Sequence, residues 1–306
     1  MYQQHFGLRE MPFSLTPDTQ FFFDTVGHRE VFNTLVLALR HSEGFIKIVG
    51  EVGTGKTLLC RKLLASLGPE FITAYIPNPY LTPEELKGFL AQEIGVTQTP
   101  GMPSYQLLHD IYQRLVALAE QKRRVVLVVD EAQAMPRETI EALRLLTNLE
   151  TEKSKLLQVV LLGQPELDDV LARPDLRQLK QRIVFSETLR TIDRKTLPDY
   201  LGYRMQSAGY RGASPFSSSA VSLLYRASGG VPRLINILAH KSLLASYGRG
   251  LKQVGHASMA QAVLDTEESR PLGVVWARRN YWLWPLVLGG ATLIAIGLGY
   301  GLGVGR

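Results

Sequence analysis

A single cysteine, Cys60, stands in the 306 residues. No disulfide can form within the chain, and a reducing compartment is the natural setting. Cys60 falls on the helix expected after a glycine-rich turn, where a small buried thiol is an ordinary packing residue. The N-terminus, Met-Tyr-Gln-Gln-His-Phe, lacks a basic stretch followed by an apolar one, so no cleaved signal peptide is expected. No long basic tract is present. The net charge of +6 is scattered over sites such as Arg61–Lys62, Lys122–Arg124 and Arg278–Arg279. A nucleic-acid partner is therefore not demanded, and solvated helix ends are the favoured reading, because a nucleic-acid footprint needs basic residues gathered on one face. Internal repeats are absent, and glycine-biased composition is confined to the last residues.

What is present belongs to an ordered globular protein: 45% hydrophobic and 20% charged residues, in a length that suits one large domain or two smaller ones. Short apolar runs alternate with helical patterns. Phe45–Val49, Phe71–Ile76, Val125–Val129, Leu156–Leu162 and Ile183–Ser186 read as strands. Leu58–Leu67, a segment opening at Thr82-Pro83-Glu84-Glu85, Tyr105–Glu120 and Ile140–Leu149 read as helices. Continuous apolar strands imply burial on both faces. The expected fold is an open parallel α/β sheet with helices on both faces. After Ser186 the strand signals stop, and Asp193–Ser207, Ser218–Ala227, Pro232–Ser246 and Ser258–Asp265 read as helices. The expected layout is a nucleotide-binding domain over 1–189, a helical domain over 190–265, a linker over 266–280 and a membrane segment over 281–305.

Chemistry concentrates at strand ends. Gly50-Glu51-Val52-Gly53-Thr54-Gly55-Lys56-Thr57 follows an apolar strand and precedes a helix, the context a phosphate-binding P-loop requires. Its glycines let backbone N–H groups approach phosphates, and the helix that begins there, through Leu58, directs its positive end at them. Lys56 is expected to reach the β- and γ-phosphates of ATP, and Thr57 to place its hydroxyl on Mg²⁺. The strand Val125–Val129 ends in Asp130-Glu131. Asp130 suits Mg²⁺, and Glu131 suits orienting or deprotonating an attacking water, which favours hydrolysis over passive binding.

Several segments in order then carry a resemblance: Phe6-Gly7-Leu8, Pro12–Asp18, Gly27-His28-Arg29-Glu30, the P-loop, Asp130-Glu131-Ala132-Gln133, Leu143–Glu150 and Gly163-Gln164-Pro165-Glu166-Leu167. Together they resemble the AAA+ ATPases of the ExeA/GspA and MshM type, from residue 1 to about Asp265. The resemblance implies an AAA+ P-loop NTPase fold with an all-helical lid and a C-terminal transmembrane helix. It further implies a homo-oligomer, partners from pilus or secretion assembly, and a place at the bacterial inner membrane. The short form associated with MSHA pilus biogenesis is the nearer match, and no direct cell-wall role is carried over. The resemblance makes Gln164 the candidate γ-phosphate sensor, with an ordinary turn residue before Pro165 as the alternative. Arg182, just before the strand Ile183–Ser186, becomes the candidate arginine finger acting on a neighbouring subunit. Arg177 competes for that role, and either can be a surface arginine. Arg233, in Gly230-Val231-Pro232-Arg233, becomes the lid arginine. His28 borders the adenine or only caps a helix. Two other readings stay open at this stage, a DNA-associated ATPase of the transposition type and a slow nucleotide-dependent scaffold.

From Tyr281 to Gly305 there is no charged side chain. A bilayer span needs roughly 20 apolar residues, and this stretch is long enough. Tyr281, Trp282 and Trp284 mark one interface, and Arg278 and Arg279 before them leave the preceding domains in the cytoplasm. Fractionation tests this directly. The full chain is expected to pellet with membranes and resist a salt wash, and the chain shortened by residues 281–306 is expected in the supernatant. Full-length protein in the supernatant would refute the span.

Overall fold

The computed structural model describes residues 2–269 apart from 17, 42–43, 100 and 152–154. The expected membrane segment, 281–305, lies outside the described residues. No helix among those described is long and apolar enough to cross a membrane. The chain forms two compact units. One comprises Ser14–Ser207 with Val231–Arg233; the other comprises 2–13, 208–230 and 234–269.

In chain order the first elements are α1 (Tyr2–Phe6), α2 (Val26–Arg40), β1 (Phe45–Gly50), α3 (Lys56–Ser66) and β2 (Phe71–Ile76). Then come α4 (Pro83–Glu93), α5 (Ser104–Glu120), β3 (Arg124–Val129), α6 (Arg137–Leu146) and β4 (Leu157–Gly163). The short helices α7 (Glu166–Leu171) and α8 (Arg177–Lys180) precede β5 (Ile183–Leu189). The helices α9 (Leu197–Ser207), α10 (Ser218–Ser228), α11 (Pro232–Gly248) and α12 (His256–Leu264) complete the series.

The five strands form one parallel sheet in the order β2-β3-β4-β1-β5. Residue alternation along β3 shows why both faces need helices. Val125, Leu127 and Val129 join a core with Leu86 and Leu90 of α4, Ile111 and Leu115 of α5, and Ile140 and Leu143 of α6. Val126 and Val128 face the other way, into a core with Leu35 and Leu39 of α2 and Leu59, Cys60 and Leu63 of α3. Burial pushes the Cys60 thiol up to about 12, with Asp130 adding to the effect against Arg61, so the group stays an unreactive packing residue. The reversal of strand order beside β1 brings its carboxyl end next to that of β4, and β4 next to β3. This is where open α/β sheets bind ligands.

Helix starts follow their caps. Thr82 Oγ1 accepts from Glu85 N–H while Glu85 Oε2 accepts from Thr82 N–H, completing the expected capping box with Pro83 in the first turn. α6 begins three residues earlier than its apolar pattern suggested, since Pro136 caps it and its carbonyl accepts from Thr139 and Ile140. α9 begins later than expected. Asp193 instead binds the N–H groups of Lys195 and Thr196 and holds a turn ahead of the helix.

The division of the chain departs from the expected boundary after residue 189. Helix α9 groups with the sheet because Arg204 donates to the carbonyls of Ser14 (3.2 Å) and Phe21 (3.4 Å), and Tyr203 OH donates to Gln20 O. The first residues of the chain group instead with the helical unit. Tyr2 OH lies 2.9 Å from His240 Nδ1, Arg9 N–H donates to Ala208 O, and Phe13 packs edge-on to Phe216. Burial raises the Tyr2 phenol to about 12, so that hydroxyl keeps its proton. In the helical unit, Phe216 and Val254 form a parallel bridge and α10 packs on α12.

Leu127, fully buried at the centre of the sheet, offers a check on this architecture. Leu127→Ala is expected to destabilise the protein by about 2–5 kcal/mol in denaturant unfolding. A loss below about 1 kcal/mol would show that the two-faced core is wrongly assigned.

Candidate nucleotide site

The P-loop runs from the end of β1 into α3. Gly53 (φ 80°) and Gly55 (φ 101°) occupy left-handed conformations that favour glycine. A Cβ on Gly53 would lie 2.4 Å from Arg233 Cβ, and Arg233 N–H donates to Gly53 O at 3.1 Å. Gly50 is equally confined, with Leu189 O 3.1 Å and Thr54 Oγ1 2.8 Å from where its Cβ would be. Leu59 N–H donates to Gly55 O at 2.9 Å, so the N–H groups of Lys56, Thr57 and Leu58 precede the helical ladder. Glu51 and Val52 are exposed at the loop's tip, and Thr54 is buried beneath it.

His28 supports the loop from α2. Its Nε2 lies 3.1 Å from Thr54 O, and a carbonyl can only accept, so Nε2 carries the proton. Nδ1 then accepts from Thr25 Oγ1 at 2.7 Å, while Thr25 Oγ1 accepts the His28 N–H and caps α2. Burial lowers the His28 pKa, with the Thr54 bond and Asp24 opposing, which favours this neutral form. His28 thus sits in the first turn of α2, whose cap is Thr25, and against the P-loop.

Across the sheet ends, Thr57 Oγ1 donates to Asp130 Oδ2 at 2.7 Å. Tyr75 OH, from β2, lies 3.4 Å from the same oxygen. Burial first, and Asp130 second, raise the Tyr75 phenol to about 12, keeping it a donor. Lys56 is buried and donates to Gly50 O (2.7 Å) and Glu51 O (3.1 Å). Burial lowers its pKa, against the pull of Glu131, Asp130, Glu51 and Glu166. A hydroxyl and a carboxylate are oxygen donors of the kind Mg²⁺ takes when most of its shell is water and phosphate. The glycine cradle and the buried ammonium suit polyphosphate. These residues therefore fit ATP with Mg²⁺.

Glu131 adopts φ 50°, ψ 38°, a left-handed conformation rare outside glycine. Its N–H donates to Asp130 Oδ1, and its Oε2 accepts from Gln133 Nε2 (2.7 Å) and Gln164 Nε2 (3.0 Å). Burial pushes the Glu131 carboxyl up, but the two amide donors and the charge of Lys56 outweigh it and hold the group below the usual carboxylate value. Lys56, Thr57, Asp130, Glu131 and Gln164 are thus linked at the ends of β1, β3 and β4, with the backbone of Arg233 against Gly53. Arg233 itself is exposed. Arg182 stands apart from this group, donating to Thr147 Oγ1 at 3.3 Å, and Arg177 is exposed on α8. The sequence reading assigned no role to Gln133 or Tyr75. Gln133 stands inside the Asp130-Glu131-Ala132-Gln133 motif, but only folding shows what its amide touches. Tyr75 carried no signal beyond its place near the end of a strand.

Residues 39–171 match the family described as AAA domain. Over those residues the chain is similar to AAA domains. General secretion pathway protein A of Aeromonas hydrophila is 39% identical over 298 residues, covering 97% of this chain and 53% of that protein, so the chain spans about half the length of that relative. Among solved structures, Cdc6p of Pyrobaculum aerophilum superposes with a TM-score of 0.61 at 16% identity, covering 83% of this chain and 70% of that one. A Walker-type ATPase of Pyrococcus abyssi gives 0.58 at 18%, covering 88% and 80%. The ORC1 protein of Aeropyrum pernix, solved with DNA, gives 0.59 at 19%, covering 84% and 69%. At these identities the structural likeness establishes a shared fold alone.

Gly53→Ala combines the positive φ with the contact to Arg233. It is expected to cost about 1–3 kcal/mol of stability and to weaken ATP binding in equilibrium titration. Unchanged affinity and melting temperature would show that neither constraint operates.

Proposed function

We propose that this protein is a membrane-anchored AAA+ ATPase that couples ATP hydrolysis to assembly of a bacterial envelope machine, of type II secretion or of the MSHA-type pilus. The observation that carries it is the likeness to General secretion pathway protein A, which runs through 97% of the chain. The MSHA assignment rests on the motifs and on the apolar stretch after Arg279.

In this reading Lys56 leaves its loop carbonyls to bind the β- and γ-phosphates, and the N–H groups from Gly53 to Leu58 line them. Thr57 and Asp130 hold Mg²⁺, which when bound neutralises developing charge on the phosphates. Glu131 orients the attacking water, and Gln164 senses the γ-phosphate beside it. His28 braces the loop at the nucleotide's edge. Arg233 reaches the phosphates from the start of α11. Arg182, with Arg177 as the competitor, completes the site of a neighbouring subunit, which makes turnover depend on assembly. The trans-acting arginine supports a homo-oligomer, and the charge-free stretch from Tyr281 to Gly305 supports its place at the cytoplasmic face of the inner membrane.

Turnover separates these roles. Glu131→Gln is expected to retain ATP binding and lose on the order of 10²-fold or more in kcat. Lys56→Ala is expected to lose binding. Mixing Lys56→Ala with Arg182→Ala is expected to restore part of the activity, because one subunit brings the finger and the other a competent site. Full activity in Glu131→Gln would remove Glu131 from the mechanism. If mixing restores nothing with Arg182→Ala but does so with Arg177→Ala, the finger is Arg177.

A further inference from the structure

We propose that Gln133 is a positioning residue for hydrolysis, holding the Glu131 carboxylate by one oxygen and tying its orientation to the end of β4. The inference rests on the reading of Glu131 as the residue that orients water.

The geometry is a closed triangle. Gln164 N–H donates to Gln133 Oε1 at 3.0 Å, Gln133 Nε2 donates to Glu131 Oε2 at 2.7 Å, and Gln164 Nε2 donates to the same Oε2 at 3.0 Å. A backbone N–H can only donate, so it fixes Oε1 of Gln133 toward β4 and turns the Gln133 NH₂ onto Glu131. The orientation of that amide follows from chemistry. Room for it is made by Gly163, where a Cβ would lie 3.0 Å from Gln133 Oε1.

Position 133 must accept on one side and donate on the other. A glutamate offers only acceptors when ionised, a lysine or arginine only donors, and an asparagine is one methylene shorter. Both amides converge on Oε2, while Oε1 of Glu131 accepts no hydrogen bond among the described residues. The carboxylate is thus held by one oxygen with the other left for a water. The left-handed backbone of Glu131 and its N–H bond to Asp130 Oδ1 fix the other end of the same side chain. A shift at the end of β4, where Gln164 sits, is transmitted to Glu131 by both the backbone and the side chain of Gln164.

Two substitutions distinguish positioning from a merely structural strut. Gln133→Glu preserves shape and the acceptor for Gln164 N–H but places a carboxylate against Glu131. Gln133→Leu removes both bonds. If Gln133 positions Glu131, both lower kcat for ATP, on the order of 10- to 100-fold, with Gln133→Glu the slower enzyme. KM for ATP and affinity for its β,γ-imido analogue stay within about twofold of wild type. A strut predicts the reverse order, with Gln133→Glu near wild type. That order, unchanged kcat in both variants, or parallel loss of kcat and analogue affinity would each overturn the proposal. Should Gln133→Leu fail to fold, the isosteric Gln133→Glu carries the test alone. Glu131→Gln is measured beside them: if it turns over normally, the reading of Glu131 has failed, and if it is inactive while both Gln133 variants are normal, only this proposal has.

Discussion

The hydrogen bond between Thr57 and Asp130 is the joint on which the site depends. It connects the first turn of α3 to the end of β3, two segments separated by 73 positions, and it does so at the level where the sheet offers its carboxyl ends. Everything nearby is arranged about it. Lys56 precedes Thr57 and Glu131 follows Asp130, so fixing one pair fixes the approach of the ammonium to the carboxylate. Tyr75 lies against the same Asp130 oxygen from β2 and keeps its proton through burial.

That joint exists because the strand order interposes β4 between β3 and β1. Gln164, one residue past β4, is thereby placed between the P-loop strand and the acidic pair, within reach of Glu131. Local rules would leave the group unstable: Glu131 has a positive φ without being glycine, and a lysine is buried. The surrounding core over-determines them. β3 and β4 are buried almost along their whole length, and helices seal both faces, so the strained turns have no room to relax.

Much of this was legible in the residues. Val125–Val129 reads as a central strand because both of its faces are apolar, and the P-loop declares itself because its glycines sit between an apolar strand and a helix. α2 was passed over in the sequence, and the reason is visible: Leu37 is 55% exposed, which blurs the apolar stripe that Val31, Leu35 and Leu39 form. The boundary after residue 189 followed the end of the strand signal. It missed the fact that α9 is held to the sheet unit through Arg204, Tyr203 and backbone carbonyls 183 or more positions away.

The sequence by itself determined the periodicities, the phosphate loop, the acidic pair and the apolar stretch after Arg279, because each is a local pattern with a local physical cause. Tertiary structure alone decided which of these meet. It put Gln133 and Gln164 on one oxygen of Glu131, set the Thr54 carbonyl on His28, and brought Arg233 against Gly53 while leaving Arg182 on Thr147. Such choices depend on strand order and on the direction of single side-chain amides, and neither is written in the spacing of residues along a chain.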